Sequence, residues 1–341
     1  MNPPKRSTQR KRSNGATGGD KSRGVEIQRT FSSRLLAWYD AHARDLPWRK
    51  SRDPYCVWLS EIMLQQTRVD AVLEHYRVFL RRFPTVQKLA AAREASVLAV
   101  WSGLGYYRRA RMLHAAAKLV VKEHGGHFPK TSDSLRQLPG VGRYTAAAIA
   151  SIAFAEPVAV VDGNVERVLS RLFGKHLDGR ANWTGAEELL DRKRPGDANQ
   201  AMMELGATVC LPREPKCLLC PVSEFCVTRG DLPRISKPVL QTKREIHIGL
   251  ARRNGEVFLR QRSQMESLMP GMWELPALSG QQDGKALLSL RHSITVTDYS
   301  VRVLEISCPD ERAGNWIAGS RLTSLPLTGL ARKILRKVDM L

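Results

Sequence analysis

The stretch LPGVGRYTAAAIA (Leu138–Ala150) decides the fold. Pro139 sets a turn, and Gly140 and Gly142 are free to take the positive φ that other residues avoid. SDSLRQ before it reads as a short helix and the alanine-rich run after it as a longer one, so the segment predicts a helix-hairpin-helix. Glycine-rich backbone at a helix N-terminus presents N–H groups to a phosphate, and Arg143 adds charge. A plain turn between two helices has similar glycines, so the charge of the whole chain tips the balance. With 54 Lys+Arg against 33 Asp+Glu in 341 residues, the formal net charge of +21 points to a polyanionic partner. The DNA backbone is the first candidate and a membrane surface the second.

Outward from the hairpin, apolar spacing near 3.6 runs from about residue 26 to 230. It passes through FSSRLLAWYDAH, DAVLEHYRVFLRRF, ASVLAVWSG, RMLHAAAKLVVKEHG, VERVLSRLF and NQAMMELGATVC. From about 244 the period becomes two: IHIGLA, an Asn254-Gly255 turn and EVFLRQR predict a β-hairpin. TVTDYSVRVLEIS (295–307) adds strand, and LTGLARKILRKV (327–338) closes with a basic amphipathic helix. The fold class expected is therefore a mainly α region over 26–229, a linker over 230–243, and a smaller α+β domain over 244–341. The length supports two domains. Residues 1–24 hold seven Lys/Arg and one acid with almost nothing to bury, which predicts a disordered basic tail ending near residue 25. No apolar run reaches the roughly 18 residues of a membrane span, and the N-terminus has no apolar segment, so a reducing, cytoplasmic compartment is expected.

Three further stretches carry chemistry. YCVWLSEIMLQQT (Tyr55–Thr67) is apolar on nearly every helical face yet holds Glu61 in its middle. Such a helix is buried, and desolvation disfavours a carboxylate, which would make Glu61 a general acid near neutral pH. A structural glutamate paired with an arginine is the plainer alternative. VAVVDGNVERVLSRLF (158–173) places Asp162 between an apolar run and a helix, where it reads as a turn aspartate with Asn164 as N-cap. CLPREPKCLLCPVSEFC places Cys210, Cys217, Cys220 and Cys226 within 17 residues. In a reducing compartment this means metal rather than disulfides. A single C-x-x-C favours a compact loop around a 4Fe–4S cluster over zinc, although the spacing is not that of a ferredoxin.

Taken in order, WLSEIMLQQT, WSGLGYYRRAR, LPGVGRYT, VVDGNVERVLSR, NQAMMELGATVC and the cysteine loop resemble the MutY family of adenine DNA glycosylases. That family lies within the endonuclease III-like helix-hairpin-helix superfamily. The resemblance covers about residues 28–228, and more weakly 244–341, which would match the family's Nudix-like C-terminal domain. It implies a monomeric, DNA-associated (nucleoid) repair enzyme with a 4Fe–4S cofactor, acting on double-stranded DNA that contains A:8-oxoguanine or A:G mispairs. Adenine would be flipped out and excised. Glu61 matches the acid that protonates the adenine ring, and Asp162 the carboxylate that stabilises or bonds the sugar cation. Tyr144 and Asn164 match positions that hold Asp162 and the sugar. Arg44, Trp48, Arg49, Leu64 and Gln200 match the adenine pocket, and Gln66 and Tyr106 match residues that enter the duplex. Gly140 and Gly142 match the phosphate-binding hairpin.

Two departures refine the resemblance. Bifunctional endonuclease III enzymes carry a lysine nucleophile just after the hairpin, where this chain has Tyr144, so a monofunctional glycosylase is expected. An endonuclease III-like lyase and a non-catalytic iron–sulfur DNA-binding protein are the competing readings. In the C-terminal domain the family's Phe-Ser-His loop is replaced by Ile294, Thr295 and Val296, with His292 and Thr295 the remaining candidates for reading the lesion. Residues 244–341 lack the Glu-rich helix of a pyrophosphohydrolase, so recognition rather than hydrolysis is expected there.

Overall fold

The computed structural model of the chain describes residues 18–232, 242–280, 284–294, 296–307 and 309–341, with side chains from Glu26 onward except that of Ile27. Most of the expected tail, residues 233–241 of the linker expected over 230–243, and Thr295 therefore lie outside the described residues, while Thr242 and Lys243 of that linker belong to a strand. Helices follow in the order α1 (Gly18–His42), α2 (Pro54–Leu64), α3 (Val69–Arg82), α4 (Val86–Ala90), α5 (Glu94–Trp101) and α6 (Arg108–His124). Next come α7 (Ser132–Leu135), α8 (Arg143–Phe154), α9 (Gly163–Leu172), α10 (Gly179–Leu189) and α11 (Pro195–Thr208). The strands are β1 (Thr242–Leu250), β2 (Arg252–Arg253), β3 (Glu256–Gln261), β4 (Trp273–Glu274), β5 (Ala277–Leu278), β6 (Leu288–Ile294), β7 (Thr297–Glu305) and β8 (Asn315–Ala318), and α12 (Gly329–Lys337) closes the chain. The fold is thus mainly helical, with a smaller α+β C-terminal region.

Two expectations need correction. α1 starts at Gly18, inside the stretch read as tail, because no proline interrupts the run from there to His42. The hairpin at Asn254-Gly255 forms, both residues taking positive φ (45° and 76°), but it joins only β2 to β3. IHIGLA instead belongs to β1, which leaves for another sheet, pairing with β7 in parallel and β5 antiparallel. RHSI forms the second half of β6, so Ile294 ends a strand and His292 lies within it. Alternation alone says that a residue is in a strand and not which strand it will pair with.

The chain forms two compact units: the described residues up to Arg44 with Pro157–Leu232, and Asp45–Glu156 with the described residues from Thr242. In the first unit α1 packs with α9, α10 and α11 around Phe31, Leu35, Val165, Leu169, Met202 and Leu205. Buried Asn199 fastens the extended approach to α9: its Nδ2 donates to the Val158 carbonyl (2.9 Å) and its Oδ1 accepts from the Val160 N–H (3.0 Å). The cysteine loop is pinned to the end of α9 by Val227 N–H to the Leu172 carbonyl (3.1 Å) and to α1 by Phe225 set edge-on to Phe31.

In the second unit α2 is central, flanked by α3, α6 and α8. Asp53 caps it by accepting from the Tyr55 N–H (2.8 Å), and Pro54 begins it without an N–H to orphan. Every residue from Tyr55 to Met63 is buried except Cys56, which is half-buried. The strands form two sheets, ordered β5-β1-β7-β6 and β2-β3-β4 with β8 on β3, around Ile248, Leu250, Val257, Leu259, Val301 and Val303. The Leu327 carbonyl joins this part to the helices, accepting from Ser102 Oγ (2.7 Å) and the Tyr107 hydroxyl (3.1 Å), while Arg332 Nε donates to Ser102 Oγ (2.9 Å). Arg111 Nη2 adds a bond to the Pro270 carbonyl (2.5 Å).

Ser102 is 2% exposed and serves as donor and acceptor at once. Ser102→Ala should therefore lower stability by about 1–3 kcal/mol, read as a lower urea midpoint at unchanged slope.

Candidate functional site

Glu61 is the eighth residue of an apolar helix and is only 6% exposed, as its neighbours Trp58 (0%) and Ile62 (3%) require. An isolated carboxylate there would cost several kcal/mol, so it must find polar partners. The Tyr144 hydroxyl, one residue inside α8, donates to Glu61 Oε2 at 2.6 Å. The sequence places Tyr144 with Asp162 through the family resemblance; its bond to Glu61 was not legible there, because it needs the packing of α2 against α8. Gln65 Nε2 to Thr145 Oγ1 (3.1 Å) fastens the same two helices one turn along.

The hairpin lies between α7 and α8. Gly140 has φ +75°, and a Cβ there would come within 2.6 Å of Met112 Cβ, so glycine is needed both for conformation and for room. Gly142, expected to need positive φ as well, has φ −84° and ψ 179°: it is the extended N-cap of α8, and a Cβ would meet nothing within 4 Å. Exposed Arg143 follows at the helix N-terminus.

In the other unit Asp162, and not Asn164, is the N-cap of α9. Its Oδ1 accepts from the N–H groups of Asn164 (2.9 Å) and Val165 (2.8 Å), and Asn164 Nδ2 donates to Oδ2 (2.9 Å). Three donors and the N-terminus of α9 thus surround its two oxygens. Gly206 backs Asn164, since a Cβ there would lie 2.6 Å from Asn164 Cβ. Arg44 clamps the fully buried Glu204 carboxylate through Nε (2.7 Å) and Nη2 (2.8 Å), and Gln200 is half-buried on α11. Arg44 is thus held by a buried acid that the sequence did not single out.

Of the remaining candidates, Trp48 and Arg49 lie in a 3-10 turn over Pro47–Arg49, with buried Trp48 edge-on to Tyr76 at 5.4 Å. Leu64 ends α2, half-buried. Gln66 and Tyr106 stand out at turn tips: both are exposed and both have positive φ (55° and 48°), uncommon for residues other than glycine. Such strain of about 1–3 kcal/mol per residue gathers at functional segments. His292 lies within β6, paired with Tyr299, half-buried beneath α12 beside Gly329 and Lys333. Val296, at the hairpin tip, is 50% exposed.

The four cysteines are free and half-buried. Arg171, itself 5% exposed, donates from Nη1 to Cys210 Sγ (3.2 Å), and the Arg229 N–H points at Cys226 Sγ (3.4 Å). Burial pushes the Cys220 thiol up to about 11, with Cys210, Cys226 and Cys217 near enough to add to the shift. Among the described residues no group of three or more His, Cys, Asp or Glu side chains is disposed to hold a single metal ion. The donor set itself, four soft thiols with cationic and N–H donors around them, is of the kind that suits an iron–sulfur cluster.

Residues 59–182 match the family model described as HhH-GPD superfamily base excision DNA repair protein. A solved thermostable thymine-DNA glycosylase is 31% identical with a TM-score of 0.56, the match covering 60% of this chain and 97% of that one. The chain belongs to the HhH-GPD superfamily. Within it, an adenine DNA glycosylase of Rattus norvegicus is 51% identical over 211 residues, 58% of this chain and 41% of that protein. One of Arabidopsis thaliana is 40% identical over 315 residues, 75% of this chain and 50% of that protein. The chain spans about half the length of the curated relatives it matches. Among the described residues no helix is long and apolar enough to cross a membrane.

Burial, and then the charge of Lys333, hold the His292 imidazole below the ordinary histidine range. The fold thus prefers it neutral, so its contribution to stability is complete above the unfolded pKa and is lost as pH falls through the folded one. An NMR titration should place His292 below about 6.5.

Proposed function

We propose that this chain is a monofunctional DNA glycosylase that excises adenine mispaired with 8-oxoguanine or guanine in base excision repair. The observation that carries the reading is the carboxyl of Glu61, buried in an apolar helix with a tyrosine hydroxyl at 2.6 Å. A pure binding protein has no use for an acid so placed. Relatives in rat and Arabidopsis bear the name adenine DNA glycosylase, which supports the choice of base.

In this reading Glu61 gives its proton to a ring nitrogen of an extruded adenine, which leaves with the electron pair of the glycosidic bond. The Tyr144 hydroxyl holds the carboxyl in place and stabilises the anion left behind. Asp162, fixed by its capping bonds, stabilises the cationic sugar carbon until water adds, a division of labour between two carboxyl groups familiar from glycoside hydrolysis. Arg44, Trp48, Arg49, Leu64 and Gln200 would contact the base, and Gln66 and Tyr106 would fill the gap it leaves. Gly140, Gly142 and Arg143 would hold a phosphate. Cys210, Cys217, Cys220 and Cys226 would bind a 4Fe–4S cluster, which when present stiffens a positively charged loop against DNA. The C-terminal region, Nudix-like in this reading, would meet the opposite base, with His292 and the tip at 294–296 as its nearest candidates.

Single-turnover excision of adenine opposite 8-oxoguanine, guanine and cytosine tests this. Glu61→Gln, which preserves shape and the bond to Tyr144, should slow base release by about 10²–10⁴-fold while duplex binding persists. A variant as fast as the wild type would make Glu61 structural. Equal rates opposite 8-oxoguanine and guanine would remove the lesion preference and leave the chemistry. The purified protein should also carry about four irons per chain and absorb in the visible, whereas stoichiometric zinc would decide for the alternative metal.

A further inference from the structure

The geometry points to Arg109 as a positioning residue that locks the Gln66 and Tyr106 turns into one rigid wedge. The inference rests on the reading above, in which those two side chains enter the duplex.

Arg109 lies in the first turn of α6, one residue after exposed Arg108, and its guanidinium turns inward. Nη1 donates to the carbonyls of Ile62 (2.9 Å), Met63 (2.9 Å) and Gln65 (2.6 Å), at the C-terminal end of α2 and the start of the turn bearing Gln66. Nη2 reaches Thr67 Oγ1 (3.0 Å) on the far side of Gln66, and the carbonyls of Leu104 (3.3 Å) and Gly105 (3.4 Å) ahead of Tyr106. The cation also lies 5.4 Å from the Tyr106 ring centre and 5.5 Å from that of Trp101.

These contacts explain two things together. The last carbonyls of a helix lack intrahelical partners and must be met by other donors, and Arg109 supplies them from α6. The two residues it brackets, Gln66 and Tyr106, both have positive φ, a conformation that persists where surrounding bonds over-determine it. All four Nη hydrogens are committed to six acceptors, and Nε is buried without a partner. The side chain therefore has nothing left for a DNA phosphate. Burial pushes its pKa down to about 10, still a cation at neutral pH. A lysine keeps the charge but is a single point donor and cannot span both turns.

The test uses the full chain and a duplex carrying 2-aminopurine beside the mispaired adenine, whose fluorescence rises when the stack is opened. Arg109→Lys should reduce that rise and slow single-turnover excision about 10–100-fold, the scale of a misplacement of about 1 Å. Duplex affinity at fixed salt should change less than about 3-fold, since the charge is kept. In a Tyr106→Ala background the same substitution should cost less than about 2-fold, because the residue it positions is gone. An unaltered fluorescence response, or a full-sized loss persisting in the Tyr106→Ala background, would overturn the inference. If the wild type opens the stack but releases no base, and Arg109→Lys abolishes the opening, the inference stands and the proposed activity falls. Should Arg109→Lys fail to fold by circular dichroism, Thr67→Val removes one acceptor alone. A fluorescence rise about 3-fold smaller supports the wedge, and a wild-type response refutes it.

Discussion

A carboxyl buried in the middle of an apolar helix is the constraint around which the second unit is built. Glu61 cannot be left dry and unpaired, and α2 has no polar face of its own from which to help it. The remedy comes from α8, whose second residue supplies the Tyr144 hydroxyl. The hairpin glycines ahead of α8 thus serve two ends: they form the turn that can face a phosphate, and they set the register in which Tyr144 meets Glu61. The polar pair also ties α2 to α8 in one arrangement, where apolar packing alone would tolerate small shifts.

The first unit applies the same economy to Asp162. Capping a helix uses the aspartate's oxygens as acceptors and fixes where they point, so a structural task and a chemical one share the same bonds. Asn199 holds the approach to it by its backbone, and Gly206 leaves room for Asn164. Each supporting residue is buried and hydrogen-bonded, which is what keeps a site in place to within a fraction of an ångström. The cysteine loop hangs from the other end of α9 through Arg171, so α9 carries the carboxylate at one end and the thiols at the other.

The C-terminal region is joined to the helices through the segment that carries Tyr106. Ser102 and Tyr107, on either side of the Gly103–Gly105 turn, both bond the Leu327 carbonyl, and Arg332 of α12 completes the link. A strained, exposed tyrosine thus lies between two anchors, Arg109 on the inner side and the sheet-bearing region on the other. This makes the turn stiff, a property suited to a residue that must push into stacked bases.

The local chemistry of this protein was written in its sequence. Apolar periodicity located α2, α3, α5, α6, α8, α9, α11 and α12, and the burial of Glu61 followed from the hydrophobic surroundings of a single segment. The cluster of thiols was equally plain, because short spacing on one loop needs no long-range information. What remained hidden depended on partners distant in the chain. Tyr144 meets Glu61 across 83 residues, Arg44 meets Glu204 across 160, and Ser102 meets Leu327 across 225. Gly142 was misread because a glycine's φ is chosen by the turn as a whole, and β1 was paired wrongly because alternation carries no record of a strand's neighbour. Nothing in WSGLGYYRRAR sets Arg109 apart from the arginines beside it. Only the tertiary structure turned it inward, since the unmet carbonyls it serves exist only once α2 has ended against α6.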